Sequence, residues 1–260
     1  METPLLVNLA PAVSTDVCRW CFQHWGIKNR ECVHVPVFHL VALKWFGTSN
    51  DQRPLVVVGD ERYRTESEIT AHFDPLAAPE RRLIPEGELG ELGELGETVL
   101  AETNYYHKTM RRGVVSYMYW NMLQNRQLVW PSFTKHTSWF EPPLALIVWP
   151  VIRIGLIKGL DLSAENAIKA LDVVREGFDR VEATLADGRP YLTGDSFTLA
   201  DLTFAASAAP IVLADGYAGH LPEEAALPAE MQTVVNEFRA RPAGDFCQRM
   251  YDLHRKPSAG

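Results

Sequence analysis

The sequence predicts an α/β domain followed by an all-α domain. Three observations carry this reading. Strand and helix signals alternate over roughly the first eighty residues, an acidic stretch punctuated by proline and glycine follows, and helical periodicity takes over after it. The length of 260 residues is too great for one mid-sized core and suits two domains of ordinary size.

Residues 5–9 form a short apolar run that ends at Ala10-Pro11, and residues 16–25 have helical character up to Gly26, which reads as strand, turn, helix. A second strand is expected over residues 32–38, where apolar side chains alternate with His34, followed by a loop. Residues 55–58 are a third strand, Gly59-Asp60 a turn, and residues 61–64 a returning fourth strand. Thr65-Glu66-Ser67 opens a helix through Phe73.

Residues 75–85 are rich in proline and charge, and a Gly-Glu-Leu triplet then repeats from Gly87 to Leu95. A glycine at every third position lowers helix stability by about 1 kcal/mol each, so this is expected to be an acidic linker. The predicted division is residues 1–76, a linker over 77–97, and an all-helical domain over 98–260. In the second half, Pro131, Pro142, Pro143 and Pro150 break the middle into pieces. The clearest helix starts at Ser163, places Ile168, Leu171, Val174, Phe178, Val181 and Leu185 at three- and four-residue steps, and ends at Asp187-Gly188. Further helices begin at Thr198 and cover residues 229–239. Residues 144–160 are strongly apolar, but Pro150, Arg153 and Lys158 interrupt them and they are short for a bilayer core of roughly 30 Å, so a buried or lid-like helix is expected rather than membrane association.

Apolar residues at 47% and charged residues at 22% place the chain among folded proteins. A net charge of −8 argues against nucleic acid as a partner, because that binding draws on clustered Lys and Arg. Cys18, Cys21, Cys32 and Cys247 follow no secreted-domain spacing and the N-terminus lacks a basic stretch and a long apolar run, so a reducing, cytoplasmic location is expected. His34, His39, His107 and His136 show no metal-ligand spacing, and no metal is expected.

The stretch from Tyr191 to Asp201 reads YLTGDSFTLAD. Thr198 can accept from the amide of Asp201 while the Asp201 carboxylate returns to the amide of Thr198, and Phe197 can pack on Leu202: a capping box with a hydrophobic staple. Its role is folding. The same stretch resembles the buried helix start of the cytosolic glutathione S-transferases, with their Gly-Asp-x-Phe-Ser/Thr-x-Ala-Asp signature. A second resemblance to that family lies in Arg53-Pro54 followed by residues 55–60 and by Thr65-Glu66-Ser67-Glu68-Ile69.

Together these matches span nearly the whole chain and imply a thioredoxin-like, glutathione-binding N-terminal domain before the helical one, with no class assigned. The resemblance implies that Pro54 is cis, that the backbone of Arg53 pairs with the cysteinyl part of glutathione, and that Gln52 touches the tripeptide. It also implies that Ser67 and the helix N-terminus bind the γ-glutamyl carboxylate while Glu66 attracts the ammonium. Read without the family, Glu66 and Ser67 merely cap a surface helix.

The family lowers the thiol pKa of glutathione with a hydroxyl or thiol just after the first strand. By count that position falls on Ala12. Ser14 is the first candidate in its place and Thr15 the second, the alternative being that both cap the helix. Cys18 and Cys21 have the spacing of a redox pair but lie about six residues too deep, which reads as structural. From the aromatic density after the linker, Tyr105, Tyr106 and Tyr117 are candidates for an acceptor pocket. The resemblance thus implies an enzyme that conjugates glutathione, as co-substrate, to a small hydrophobic electrophile or removes a leaving group from it, in a homodimer. The alternatives are a non-catalytic binding or carrier protein of the same fold, and a glutathione-dependent reductase using Cys18 or Cys21.

Overall fold

The computed structural model describes residues 2–48, 54–87 and 91–255. The first half contains β1 (Leu5–Leu9), α1 (Val13–Trp25), β2 (Arg30–His34), α2 (Pro36–Trp45), β3 (Leu55–Val58), β4 (Glu61–Tyr63) and α3 (Glu66–Phe73). The strands form one sheet in the order β2-β1-β3-β4. β1 runs parallel to β2, pairing Leu5 with Arg30 and Leu9 with His34, and β3 and β4 are antiparallel to their neighbours. Side chains alternate across the sheet. Leu6 and Val56 join the main core with Trp20, Phe22 and Phe73 of α1 and α3, while Val7 and Leu55 form a smaller cluster with Leu43 of α2. This is the thioredoxin-like arrangement that the resemblance implies.

Two expectations fail here. The second strand stops at His34 instead of reaching residue 38, and α2 occupies the place of the expected loop. Pro36 explains both, since its fixed φ suits the first position of a helix and it has no N–H for a strand ladder. α1 begins at Val13 and ends at Gly26, whose φ of 72° is the left-handed conformation that favours glycine.

The second half contains α4 (Glu94–Tyr105), a π turn (Tyr106–Met110), α5 (Arg111–Met122), α6 (Arg126–Thr134), α7 (Glu141–Ile147), α8 (Trp149–Gly159), α9 (Ala164–Leu185), α10 (Leu199–Val212), α11 (Ala229–Arg239) and α12 (Pro242–His254). Helix α4 starts at Glu94, inside the expected linker. Glu94 and Glu97 in its first turn complement the positive end of the helix dipole, Gly93 is its cap, and Gly96, the next glycine at three-residue spacing, is buried inside it. Residues 88–90 of the repeat lie outside the described residues.

Helix α10 is buried at every position, and its start is the expected capping box. Asp201 accepts from the amides of Thr198 at 2.8 Å and Leu192 at 2.7 Å. Helix α12 returns to the first half: Tyr251 Oη donates to Asp16 of α1 at 2.8 Å, and Arg255 pairs with the same carboxylate at 2.8 Å. Asp16 is 1% exposed, so the C-terminal helix is held to α1 by a buried ion pair.

Residues 144–160 are not one buried helix. They form α7 and α8, bent by 79° to each other, and among the described residues no single helix is long and apolar enough to cross a membrane. Ile147 and Val151 remain 77% and 69% exposed, with Trp139 just before them.

Candidate functional site

The site is built where the ends of β1 and β3 meet the helical half. After β1 the chain turns through Ala10-Pro11 into α1, whose N-cap is Ala12. Ala12 offers no side-chain cap, and the amides of Val13 and Ser14 have no helical acceptor. The first turn of α1 therefore presents free donors and the positive end of a helix dipole.

Thr15 is not available there. Its side chain is buried and its hydroxyl donates to the Leu9 carbonyl at 3.0 Å, so it locks the turn after β1 instead of reaching outward. Ser14 is half-buried. On the helix it projects about 100° from Val13 and about 60° from Val17, and it lines neither of the hollows that those two valines line.

The hollow beside Val13 is narrow and apolar, about 50 Å³. Ala10 and Pro11 form one wall, and Val114, Met118 and Tyr119 of α5, Phe133 of α6, and Tyr217 the others. Tyr119 Oη donates to the Pro11 carbonyl at 3.3 Å, which ties the helical half to the turn. The expected pocket residues lie elsewhere. Tyr105 packs under Arg180 at 4.8 Å. Tyr106 is wholly buried against Phe204, with ring centroids 5.3 Å apart. Tyr117 is buried too, and burial first, then the carboxylates of Glu230 and Glu237, pushes its phenol up to about 12. All three are core. Tyr117 and Tyr119 sit two apart on α5 and so point to opposite sides, a distinction that aromatic density cannot make. The usable signal is the three- and four-residue spacing of Val114, Val115, Met118, Tyr119 and Met122, all of which line the hollow.

The second cavity, about 390 Å³, lies between α3 and α4. Val17, Glu66, Ser67 and Thr70 line one side, Asn104, His107 and Lys108 the other. Helix α3 is capped by Thr65, whose hydroxyl accepts from the amide of Glu68 at 3.1 Å. Glu66 and Ser67 are thus not the cap. Ser67 is exposed at the second position of the helix and is one of the residues lining the cavity.

Glu66 has a different part from the one expected. It is 6% exposed and its carboxylate takes both guanidinium nitrogens of Arg111 and, at 2.9 Å, His107 Nδ1. Burial alone raises its pKa, but the Arg111 charge and the His107 contacts outweigh that and hold the carboxyl down at about 2. Arg111 also donates to Ser207 of α10 at 3.0 Å. The carboxylate thus links α3 to the helical half through Arg111, a role the resemblance did not supply, and it also lines the cavity.

Gln52 and Arg53 lie outside the described residues, and with Arg53 the peptide bond before Pro54; Pro54 itself is buried at the foot of β3. Cys18 and Cys21 are free thiols, 2% and 1% exposed, within the body of α1. Burial, then the negative charge of Glu66, pushes both thiols well up, so neither has the exposed, lowered thiol that a reductase needs. Among the described residues no group of His, Cys, Asp and Glu could hold a metal ion.

Residues 157–229 match the family model of the glutathione S-transferase C-terminal domain. No curated protein sequence matches the chain significantly. Among solved structures, the chain is similar to a beta-etherase from Sphingobium sp. strain SYK-6, with 17% identity over 96% of this chain and 99% of that one and a TM-score of 0.55. It is similar to a glutathione S-transferase from Rhodospirillum rubrum F11, with 13% identity over 98% and 97% of the two chains and a TM-score of 0.54. A glutathione transferase homologue from Drosophila mojavensis with bound glutathione matches at 15% identity over 99% and 98%, with a TM-score of 0.51. At these identities the likeness is one of fold.

Proposed function

Because this chain carries a glutathione S-transferase C-terminal domain in a glutathione S-transferase fold, we propose that it binds glutathione and transfers it to a small hydrophobic electrophile, or uses it to displace a leaving group. The observation that carries the reading is the exposed Ser67 at the start of α3, opening into a cavity that Lys108 also lines. The γ-glutamyl carboxylate binds there, on the Ser67 hydroxyl and the first-turn amides, with Lys108 adding positive charge. Pro54, Arg53 and Gln52 align the rest of the tripeptide along β3. Glu66 acts indirectly: paired with Arg111, it fixes α3 against the helical half.

The sulfur then lies at the start of α1. The Ser14 hydroxyl and the free amides of Val13 and Ser14 favour the thiolate over the thiol, and the electrophile docks at the mouth of the apolar hollow between Pro11, Met118, Tyr119, Phe133 and Tyr217, with an apolar end entering it. The thiolate attacks the electrophilic carbon, and the C–S bond of the thioether forms as the bond to the leaving group breaks and that group departs with the electron pair. At an activated double bond, the π pair instead shifts onto the substrate and takes a proton from water. No proton needs to be removed from sulfur at that step. The protein works as a cytoplasmic homodimer, divided at the acidic segment after residue 76, in the removal of reactive apolar compounds.

A second reading, a non-catalytic binding protein of the same fold, is favoured by one observation: Ala12 fills the N-cap where the family places its catalytic group. Initial-rate assays of thioether formation with a soft aromatic electrophile separate the two. The proposal expects turnover that falls roughly 10- to 100-fold in Ser14→Ala, the cost of one hydrogen bond to a charged sulfur. Glutathione binding without turnover for any soft electrophile supports the carrier.

A further inference from the structure

Outside the two hollows, three polar side chains make a chain of contacts at the exposed edge of the sheet. Cys32 and His34 are two residues apart on β2, an edge strand, and project from the same face. Cys32 Sγ lies 3.2 Å from His34 Nε2, and His34 Nδ1 lies 2.7 Å from Glu141 Oε1. Glu141, the first residue of α7, is 1% exposed, and its other oxygen accepts from the Val35 amide at 2.9 Å.

A carboxylate only accepts, so in the neutral imidazole the ring hydrogen sits on Nδ1 and Nε2 turns its lone pair to the sulfur. This is the arrangement of nucleophile, base and orienting carboxylate that activates a side chain without lowering its resting pKa. Burial, then the nearby Glu141 charge, pushes the Cys32 thiol up, so the resting group is a thiol whose proton must leave during attack. Cys32 is half-exposed, whereas Cys18, Cys21 and Cys247 are buried.

We propose that Cys32 is a nucleophile for low-molecular-weight disulfides, with His34 as its general base and Glu141 as the residue that positions His34. Cys32 Sγ attacks one sulfur of the disulfide as its proton passes to His34 Nε2. The new Sγ–S bond forms, the old S–S bond breaks, and His34 returns the proton to the departing thiolate. Cys32 is oxidised to a mixed disulfide and one thiol is released in reduced form. Negative charge develops on sulfur alone, so the step needs none of the oxyanion-stabilising donors that attack on a carbonyl requires.

The test uses the full chain and bis(2-hydroxyethyl) disulfide, which lacks every group that glutathione would offer to Ser67. Intact-mass measurements over time are expected to show one adduct per chain, absent in Cys32→Ser. The rate is expected to fall roughly 100-fold in His34→Gln, the usual contribution of general acid–base catalysis. Added imidazole should restore part of it, which a merely structural loss would not allow. Glu141→Gln, which keeps an acceptor for the Val35 amide, should also slow the reaction while the circular dichroism spectrum is unchanged. An unmodified Cys32, or a wild-type rate in His34→Gln, overturns the proposal. Should His34→Gln fail to fold, a wild-type rate in Glu141→Gln overturns it equally.

Discussion

Replacing Glu66 by glutamine removes the negative member of a buried ion pair and leaves the Arg111 guanidinium, 7% exposed, facing a neutral amide. The Glu66 carboxyl is held at about 2 against an ordinary 4.5, a gap worth about 3 kcal/mol at roughly 1.36 kcal/mol per pKa unit. Removing one partner of a buried pair costs about 3–5 kcal/mol. The two agree near 3 kcal/mol, which lowers Tm by roughly 6–12 °C in a protein of this size.

The sign follows from the depressed pKa. The contribution is complete above the unfolded value near 4.5 and is lost as pH falls from there toward 2. Urea unfolding followed by tryptophan fluorescence should therefore show Glu66→Gln about 3 kcal/mol less stable than wild type at pH 7, with that difference more than halved at pH 3. A difference below about 1 kcal/mol at pH 7, or one that does not change with pH, refutes the assignment of Glu66 as an interdomain clamp.

Other substitutions test separate parts of the structure. Arg255→Met strands the buried Asp16 carboxylate between α1 and α12 and should cost about 3 kcal/mol, with faster amide exchange in α12 by hydrogen exchange. Thr198→Ala removes the cap of α10 and should cost about 1–2 kcal/mol in thermal unfolding. Thr15→Ala should lose about 1 kcal/mol of stability with its hydrogen bond to Leu9 and keep the wild-type kcat in the thioether assay, separating it from Ser14.

Much of the architecture was legible because local signals and tertiary packing agree. The capping box at Thr198 and Asp201, the Ser163 cap of α9, the Gly59-Asp60 turn and the Gly26 stop of α1 each rest on short-range chemistry, and each stands as read. Helix α2 was hidden because residues 36–45 are apolar on most sides, so no helical periodicity marks it off from the end of the expected strand and the loop after it. Helix α12 has a regular apolar stripe at Phe246, Cys247, Met250 and Tyr251 that could have been found. The site was less legible for a physical reason. Which tyrosine of α5 faces the hollow, whether Thr15 turns inward, and the partnership of Glu66 with Arg111, 45 residues away, are all decided by how the helical half packs on the sheet.

In the proposed function the start of α3 holds glutathione. Calorimetric titration of the protein with glutathione, repeated on Ser67→Ala, tests this. Saturable binding of one glutathione per chain is expected in the wild type, weakened about tenfold or more in the variant, as loss of a hydrogen bond to a carboxylate requires. No binding by the wild type, or equal affinity in the two proteins, contradicts it.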